Sequence, residues 1–101
     1  MSGGVFGLLG MCYRAGRLAV GADPALESIA KKKARLCVIC SDSAENTRSK
    51  ITLACKNANV PLISADFTKF ELSQALPRGT PAVVTIEDEG FAAGITRAMN
   101  K

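Results

Sequence analysis

Two short runs, Leu36–Cys40 and Ala82–Ile86, most constrain what this chain can fold into. Both are rich in β-branched and apolar residues, and neither alternates with charged ones. Each therefore reads as a strand covered on both faces, not as a strand with one face in water. Such strands need helices on either side, and the intervening segments repeat at helical spacing. Val5, Leu8, Leu9 and Cys12 recur at i, i+3, i+4 and i+7, which predicts a first helix closed by Gly16. Leu18–Val20 is a short strand candidate ending at Gly21. Asp23 before Pro24 reads as an N-cap with proline in the first helical position. Ala22, Ala25, Leu26 and Ile29 then give a second helix its apolar face, and Lys31–Lys33 sit where cations suit the C-terminal dipole.

The run Leu36–Cys40 leads into a polar turn, Ser41-Asp42-Ser43, rich in N-cap residues. A third helix follows with Ile51, Ala54, Cys55 and Ala58 on one stripe, ended by Asn59, before a strand over Val60–Ile63. Thr68-Lys69-Phe70-Glu71 has the spacing of a capping box and predicts a fourth helix that stops near Pro77. After Ala82–Ile86, a final helix carries Phe91, Ile95, Ala98 and Met99 on one face. Alternation of this kind predicts an α/β fold: a three-layer α-β-α sandwich around a four-stranded mixed, largely parallel sheet. At 101 residues the chain suits one domain over 1–101, without internal repeats or linkers.

The chemistry such a chain can perform is narrow. His is absent, which removes the commonest general base and metal ligand. Cys37 and Cys40 match C-x-x-C, but on a strand residues three apart point to opposite faces, so their thiols do not converge on one ion. Cys12 and Cys55 complete a set of four that reads as buried apolar filling in a reducing compartment. No phosphate loop G-x-x-x-x-G-K-[ST] and no G-x-G-x-x-G occurs. Ser41 and Asp42 have no His to complete a nucleophilic triad, and capping accounts for them as well. Asp88 and Glu89 pair two carboxylates at an expected helix start, where they favour the dipole. The reading is therefore a non-enzymatic protein without cofactor or metal. No apolar run reaches the roughly 18 residues of a membrane span, and no secretory signal is evident, so a cytoplasmic location without a membrane partner is expected.

Thirteen Lys+Arg against nine Asp+Glu leave a net charge of +4. Arg14 and Arg17 flank the first turn, and Lys31, Lys32, Lys33 and Arg35 place four cations within five residues. That concentration suits phosphates, although a solvated helix end explains it equally. Aromatic residues are few, so a stacking platform for single strands is poorly supported, and backbone and shape contacts are the expected mode.

Several segments, in order and spacing, resemble the kink-turn RNA-binding ribosomal proteins of the L7Ae and L30e family. They are GMCYRAGRLAVG over Gly10–Gly21, KARLCVICSD over Lys33–Asp42, Asn59-Val60-Pro61-Leu62, Glu71-Leu72 and Ala82–Ile86. The pattern runs from Leu8 to Ile95. Ser43–Thr47 and Gly90-Phe91-Ala92 look most like the small bacterial members. The resemblance implies an α-β-α sandwich and RNA binding, with structured or ribosomal RNA as the partner. In that family the turn before the second helix, and the helix's first turns, meet the kinked stem beside sheared G·A pairs. Gly21 matches the family's glycine. Asp23 stands where an Asn is expected, Pro24 where Glu or Gln is usual, and Glu27 where a Lys is expected, while Lys31 falls at a position often basic. The loop that closes over the RNA corresponds to Leu76–Pro81, with Arg78 in it.

The basic residues and the resemblance together give an expected RNA-binding set of Arg14, Arg17, Gly21, Asp23, Glu27, Lys31, Lys32, Lys33, Arg35, Ser41, Asp42 and Arg78. The departures carry a physical cost. Asn both donates and accepts hydrogen bonds, whereas ionised Asp only accepts, and Glu for Lys reverses a charge facing phosphates. Weak or lost kink-turn affinity is expected. An alternative from another class is a protein-interaction module on the same scaffold, using the acidic Asp23/Glu27 face.

Overall fold

The computed structural model describes residues 3–77 and 79–100. Helix α1 (Gly3–Arg14) leads through a left-handed Gly16 into strand β1 (Leu18–Val20), followed by α2 (Ala22–Ala30) and β2 (Leu36–Ile39). Then come α3 (Glu45–Ala58), β3 (Leu62–Ser64), α4 (Lys69–Ser73), β4 (Val83–Ile86) and α5 (Glu89–Met99). The nine elements alternate as the periodicity predicts. Among the described residues no helix is long and apolar enough to cross a membrane.

Strand order is β1-β4-β2-β3. The four-stranded mixed sheet agrees with expectation, but its parallel share is smaller than expected. Only β2 and β3 run parallel, whereas β4 is antiparallel to both β1 and β2. The reason lies in α4. This five-residue helix does not carry the chain across the sheet, so β4 starts at the end where β3 finishes.

Side-chain alternation along β2 divides the core into two halves. Leu36, Val38 and Cys40 pack with Val5, Leu9, Leu72 and Ile95 from α1, α4 and α5. Cys37 and Ile39 face the other way, onto Ala25 and Ile29 of α2 and Ile51 and Cys55 of α3. Every residue of β2 and β4 is buried, as two-sided coverage requires. Cys37 and Cys40 therefore lie on opposite faces, as the strand reading of C-x-x-C demands, while Cys37 and Cys55 share one half of the core. All four cysteines are free and buried.

The caps are partly as expected. Thr68 and Glu71 form the reciprocal capping box of α4, and Asp88 starts α5 by accepting the Phe91 N–H at 2.9 Å. Asn59 closes α3 in the left-handed conformation, at φ 59°. That closure bonds the Val60 N–H back to the Cys55 carbonyl, so β3 begins two residues later than the apolar run suggests. Two caps differ from expectation. The N-cap of α2 is Gly21, which places Asp23 and Pro24 inside the first turn, and that of α3 is Ala44. Ser41 and Asp42 join loops instead. The Ser41 hydroxyl donates to the Phe67 carbonyl at 3.1 Å, and the Lys69 N–H donates to Asp42 Oδ1 at 2.9 Å.

Candidate nucleic-acid interface

The turn between β1 and α2 takes its shape from one glycine. Gly21 has φ 103° and ψ 165°, a region that side chains other than glycine's strongly disfavour. Its N–H donates to the Val83 carbonyl at 2.9 Å, which docks the turn on the first residue of β4. The Cys40 N–H likewise donates to the Ala82 carbonyl at 2.8 Å, and the Cys40 thiol reaches the Pro81 carbonyl at 3.8 Å. Three segments therefore meet at one end of the sheet: Gly21–Pro24, Cys40–Asp42 and Pro81–Val83. The loop that resemblance places over RNA leads directly into this end. Arg78, named with it, lies outside the described residues.

Asp23 is exposed in the first turn of α2 and does not cap it. Its charge suits the helix N-terminus, where the dipole is positive. Asp23, Glu27 and Lys31 follow one another at i, i+4 and i+8 along one exposed face. Glu27 and Lys31 form an ion pair at 2.8 Å, with side chains 63% and 58% exposed. The pair holds the Glu27 carboxyl below its usual range and raises the Lys31 ammonium, through the hydrogen bond first and the opposite charge second. At this end Arg48 is tied into the structure. Its guanidinium donates to the Cys40 carbonyl and to the Ser64 hydroxyl, both at 3.0 Å, bracing the ends of β2 and β3.

The remaining expected site residues lie at the other end. Lys31–Lys33 follow the last turn of α2, which is about 13 Å long at 1.5 Å per residue. The Arg35 N–H donates to the Ile86 carbonyl, and the Glu87 N–H donates to the Arg17 carbonyl, so Arg35 and Arg17 flank the finish of β4. Arg14 ends α1 just before that point. The structure thus brings Gly21, Asp23, Ser41 and Asp42 together and sets Arg14, Arg17, Lys32, Lys33 and Arg35 apart from them. Glu27 lies between, along α2, paired with Lys31 at the helix end.

Two features escaped the sequence reading. Phe70 on α4 is 68% exposed, close in sequence to the Asp42–Lys69 bond. The capping box announced its helix but not the side chain's exposure. A groove of about 810 Å³ also opens between the C-terminal halves of α2 and α3, lined by Leu26, Ala54, Val60, Lys32 and Arg35 among others. Linear spacing gives no signal for it, because its walls come from segments far apart in the chain. Among the described residues, no cluster of Cys, Asp or Glu could hold a metal ion.

Comparison with known proteins places this geometry. A family model described as ribosomal protein L7Ae/L30e/S12e/Gadd45 matches residues 5–95. The chain is 30% identical over 87 residues to the RNA-binding protein YlxQ of Bacillus subtilis (strain 168), covering 86% of each. It is 33% identical over 86 residues to the RNA-binding protein YlxQ of Enterococcus faecium, covering 84% of this chain and 81% of that one. Among solved structures, a protein of unknown function from Bacillus halodurans superposes with a TM-score of 0.87 at 21% identity, over 96% of this chain and 97% of the other. The Giardia lamblia 15.5kD RNA binding protein superposes with a TM-score of 0.78 at 22% identity, over 98% and 84%. At those identities the two structures speak for the fold alone.

Proposed function

Because this chain belongs to the ribosomal protein L7Ae/L30e/S12e/Gadd45 family, we propose that it is a non-catalytic, ribosome-associated RNA-binding protein whose altered contact residues leave it poor at selecting kink-turns. The single domain works in the cytoplasm. The observation that carries the reading is the family match over residues 5–95, joined to the Gly21 turn docked on Val83. Two YlxQ relatives named as RNA-binding proteins support the RNA partner.

A stem laid along the exposed face of α2 meets Asp23, then Glu27, then Lys31. Asp23 offers no donor to a base edge when ionised, and Pro24 has no backbone N–H to give. Glu27 is partly neutralised by Lys31, so the ion pair softens the repulsion while engaging the cation that follows it on that face. Direct base contacts are typically worth about 1–3 kcal/mol each, and losing two of them removes most discrimination between stems. What remains is attraction of phosphates to a chain of net charge +4. Such binding falls steeply with salt, because phosphate contacts release counterions. Titrating a structured RNA over a range of salt tests this reading: a steep negative slope is expected, and a flat one contradicts it.

The alternative protein partner on the Asp23/Glu27 face loses support from the same ion pair. With Glu27 engaged by Lys31, Asp23 is the one carboxylate of the two left to receive a partner's cation.

A further inference from the structure

We propose that the groove between the C-terminal halves of α2 and α3 is a separate docking site for an acidic, amphipathic peptide segment of a protein partner. The groove holds about 810 Å³ and has an aliphatic floor of Leu26 and Ile29 from α2, Ala54 from α3, and Val60 beyond it. Leu26, Ala54 and Val60 are only half-buried, so the fold alone does not remove this apolar surface from water. Leu53, one turn before the groove-lining Asn57, is 60% exposed and extends the apolar margin.

Charge sets the partner's chemistry. Lys32 and Arg35 line the groove, and Lys33 follows Lys32 in the chain. Among the described residues the ion pair Lys31–Glu27 engages none of these three. Against them stand Glu89 on the same groove and the two helix C-termini, each worth roughly half a negative charge. The two lining cations offset Glu89 and the helix ends, and exposed Lys33, next to Lys32 in the chain, leaves the rim net positive and complementary to carboxylates. Asn57 and Asn59 add side-chain amides that both donate and accept, which suits a peptide backbone. RNA phosphates would meet the same cations, but the aliphatic floor of Leu26, Ile29, Ala54 and Val60 takes apolar side chains, which a peptide has and a phosphate backbone lacks.

Lys32 adds a second indication. The chain leaves α2 through a Schellman closure, in which the Lys33 N–H bonds to the Ser28 carbonyl and the Lys32 N–H to the Ile29 carbonyl. Lys32 takes the left-handed position at φ 63°, where glycine is the usual residue. The closure fixes the backbone of Lys32 at the lip of the groove, which its side chain lines. The site lies at the end of α2 remote from Gly21, so it is separate from the turn proposed to meet RNA.

The test uses the whole chain and a labelled amphipathic helical peptide of leucine and glutamate, followed by anisotropy at low salt. A control peptide carries glutamine in place of each glutamate. The glutamate peptide is expected to bind, with the control at least roughly tenfold weaker, equal to about 1.4 kcal/mol. Lys32→Gly, whose fold is kept by the residue's backbone preference, is expected to weaken binding several-fold without lowering the melting temperature. Ala58→Trp, at an exposed groove residue, is expected to block the groove and abolish the signal while the circular dichroism spectrum is unchanged. No binding of the glutamate peptide, equal binding of both peptides, or wild-type affinity in folded Ala58→Trp overturns the proposal. A structured RNA that displaces the peptide and itself loses affinity in Ala58→Trp also overturns it, by assigning the groove to RNA.

Discussion

Gly21 gives its backbone N–H to the carbonyl of Val83 at 2.9 Å, and this bond fastens the start of α2 to the start of β4. The turn proposed to meet RNA is thereby held on a central strand of the sheet, and its geometry depends on glycine at φ 103°. A Cβ at Gly21 would lie 3.7 Å from Pro24 Cδ, an ordinary contact, so space does not forbid a side chain. The backbone does. Gly21→Ala is expected to destabilise the fold by about 1–3 kcal/mol, measured by urea unfolding. A stability unchanged from wild type would mean that the turn relaxes to an ordinary φ.

Lys32 presents the opposite case, a lysine where glycine fits. Its left-handed φ of 63° costs roughly 1–2 kcal/mol, offset in part by the greater freedom of glycine in the unfolded chain. Lys32→Gly is expected to raise stability by up to about 1 kcal/mol in thermal or urea unfolding. A clear loss would show that the lysine side chain contributes more contacts than its strain removes.

The buried thiols give stability a dependence on alkaline pH. Burial, with smaller contributions from nearby carboxylates, pushes the Cys12 and Cys40 thiols up to about 11 from an ordinary 9.0. Cys37 is raised as well, by its hydrogen bond with Cys55 and by burial. Above their ordinary value the unfolded chain releases thiol protons that the folded chain retains, so ionisation favours unfolding. The stabilising contribution is complete below pH 9 and declines between pH 9 and 11. Urea midpoints are expected to fall across that window, and less so in Cys12→Ala. A slope that is the same in both proteins would remove Cys12 as a cause. In the native protein near neutral pH, all four thiols are expected to resist iodoacetamide and to react after denaturation.

Much of the fold was legible because its signals are local. The alternating burial along Leu36–Ile39 follows from strand period alone, and Thr68 with Glu71 specifies a helix start by side-chain reach. The direction of β4 was not legible, since it depends on how far a five-residue α4 carries the chain. Asp23 before Pro24 imitates a cap, yet the bond from Gly21 to Val83 places the cap two residues earlier. The site suffered from the same blindness to distance. Arg17, Lys33 and Arg35 are basic residues near Gly21 in sequence, but the sheet puts them at its opposite end, beyond the length of α2. The groove at Lys32 and Arg35 joins α2 to residues around Val60, a pairing that no spacing rule announces.

Restoring the contact residues that the resemblance implies on α2 supplies a gain-of-function prediction. Asp23→Asn returns a donor beside the Gly21 turn, and Glu27→Lys removes the carboxylate now paired with Lys31. The double variant is expected to bind a kink-turn RNA at least roughly tenfold more tightly than the wild type, since one recovered base contact alone is worth about 1–3 kcal/mol. Because both side chains are exposed, the melting temperature is expected to stay close to wild type. A double variant with unchanged RNA affinity would place the contact elsewhere than the exposed face of α2.

The protein we propose binds RNA, keeps the family's fold and does not select kink-turns. Titrating the wild-type chain with a kink-turn RNA, and with the same stem lacking its G·A pairs, at two salt concentrations tests this. Similar affinities for both stems, each falling steeply at the higher salt, are expected. Tight binding to the kink-turn alone would contradict the roles given to Asp23, Pro24 and Glu27. No binding to either stem at the lower salt would contradict the RNA function itself.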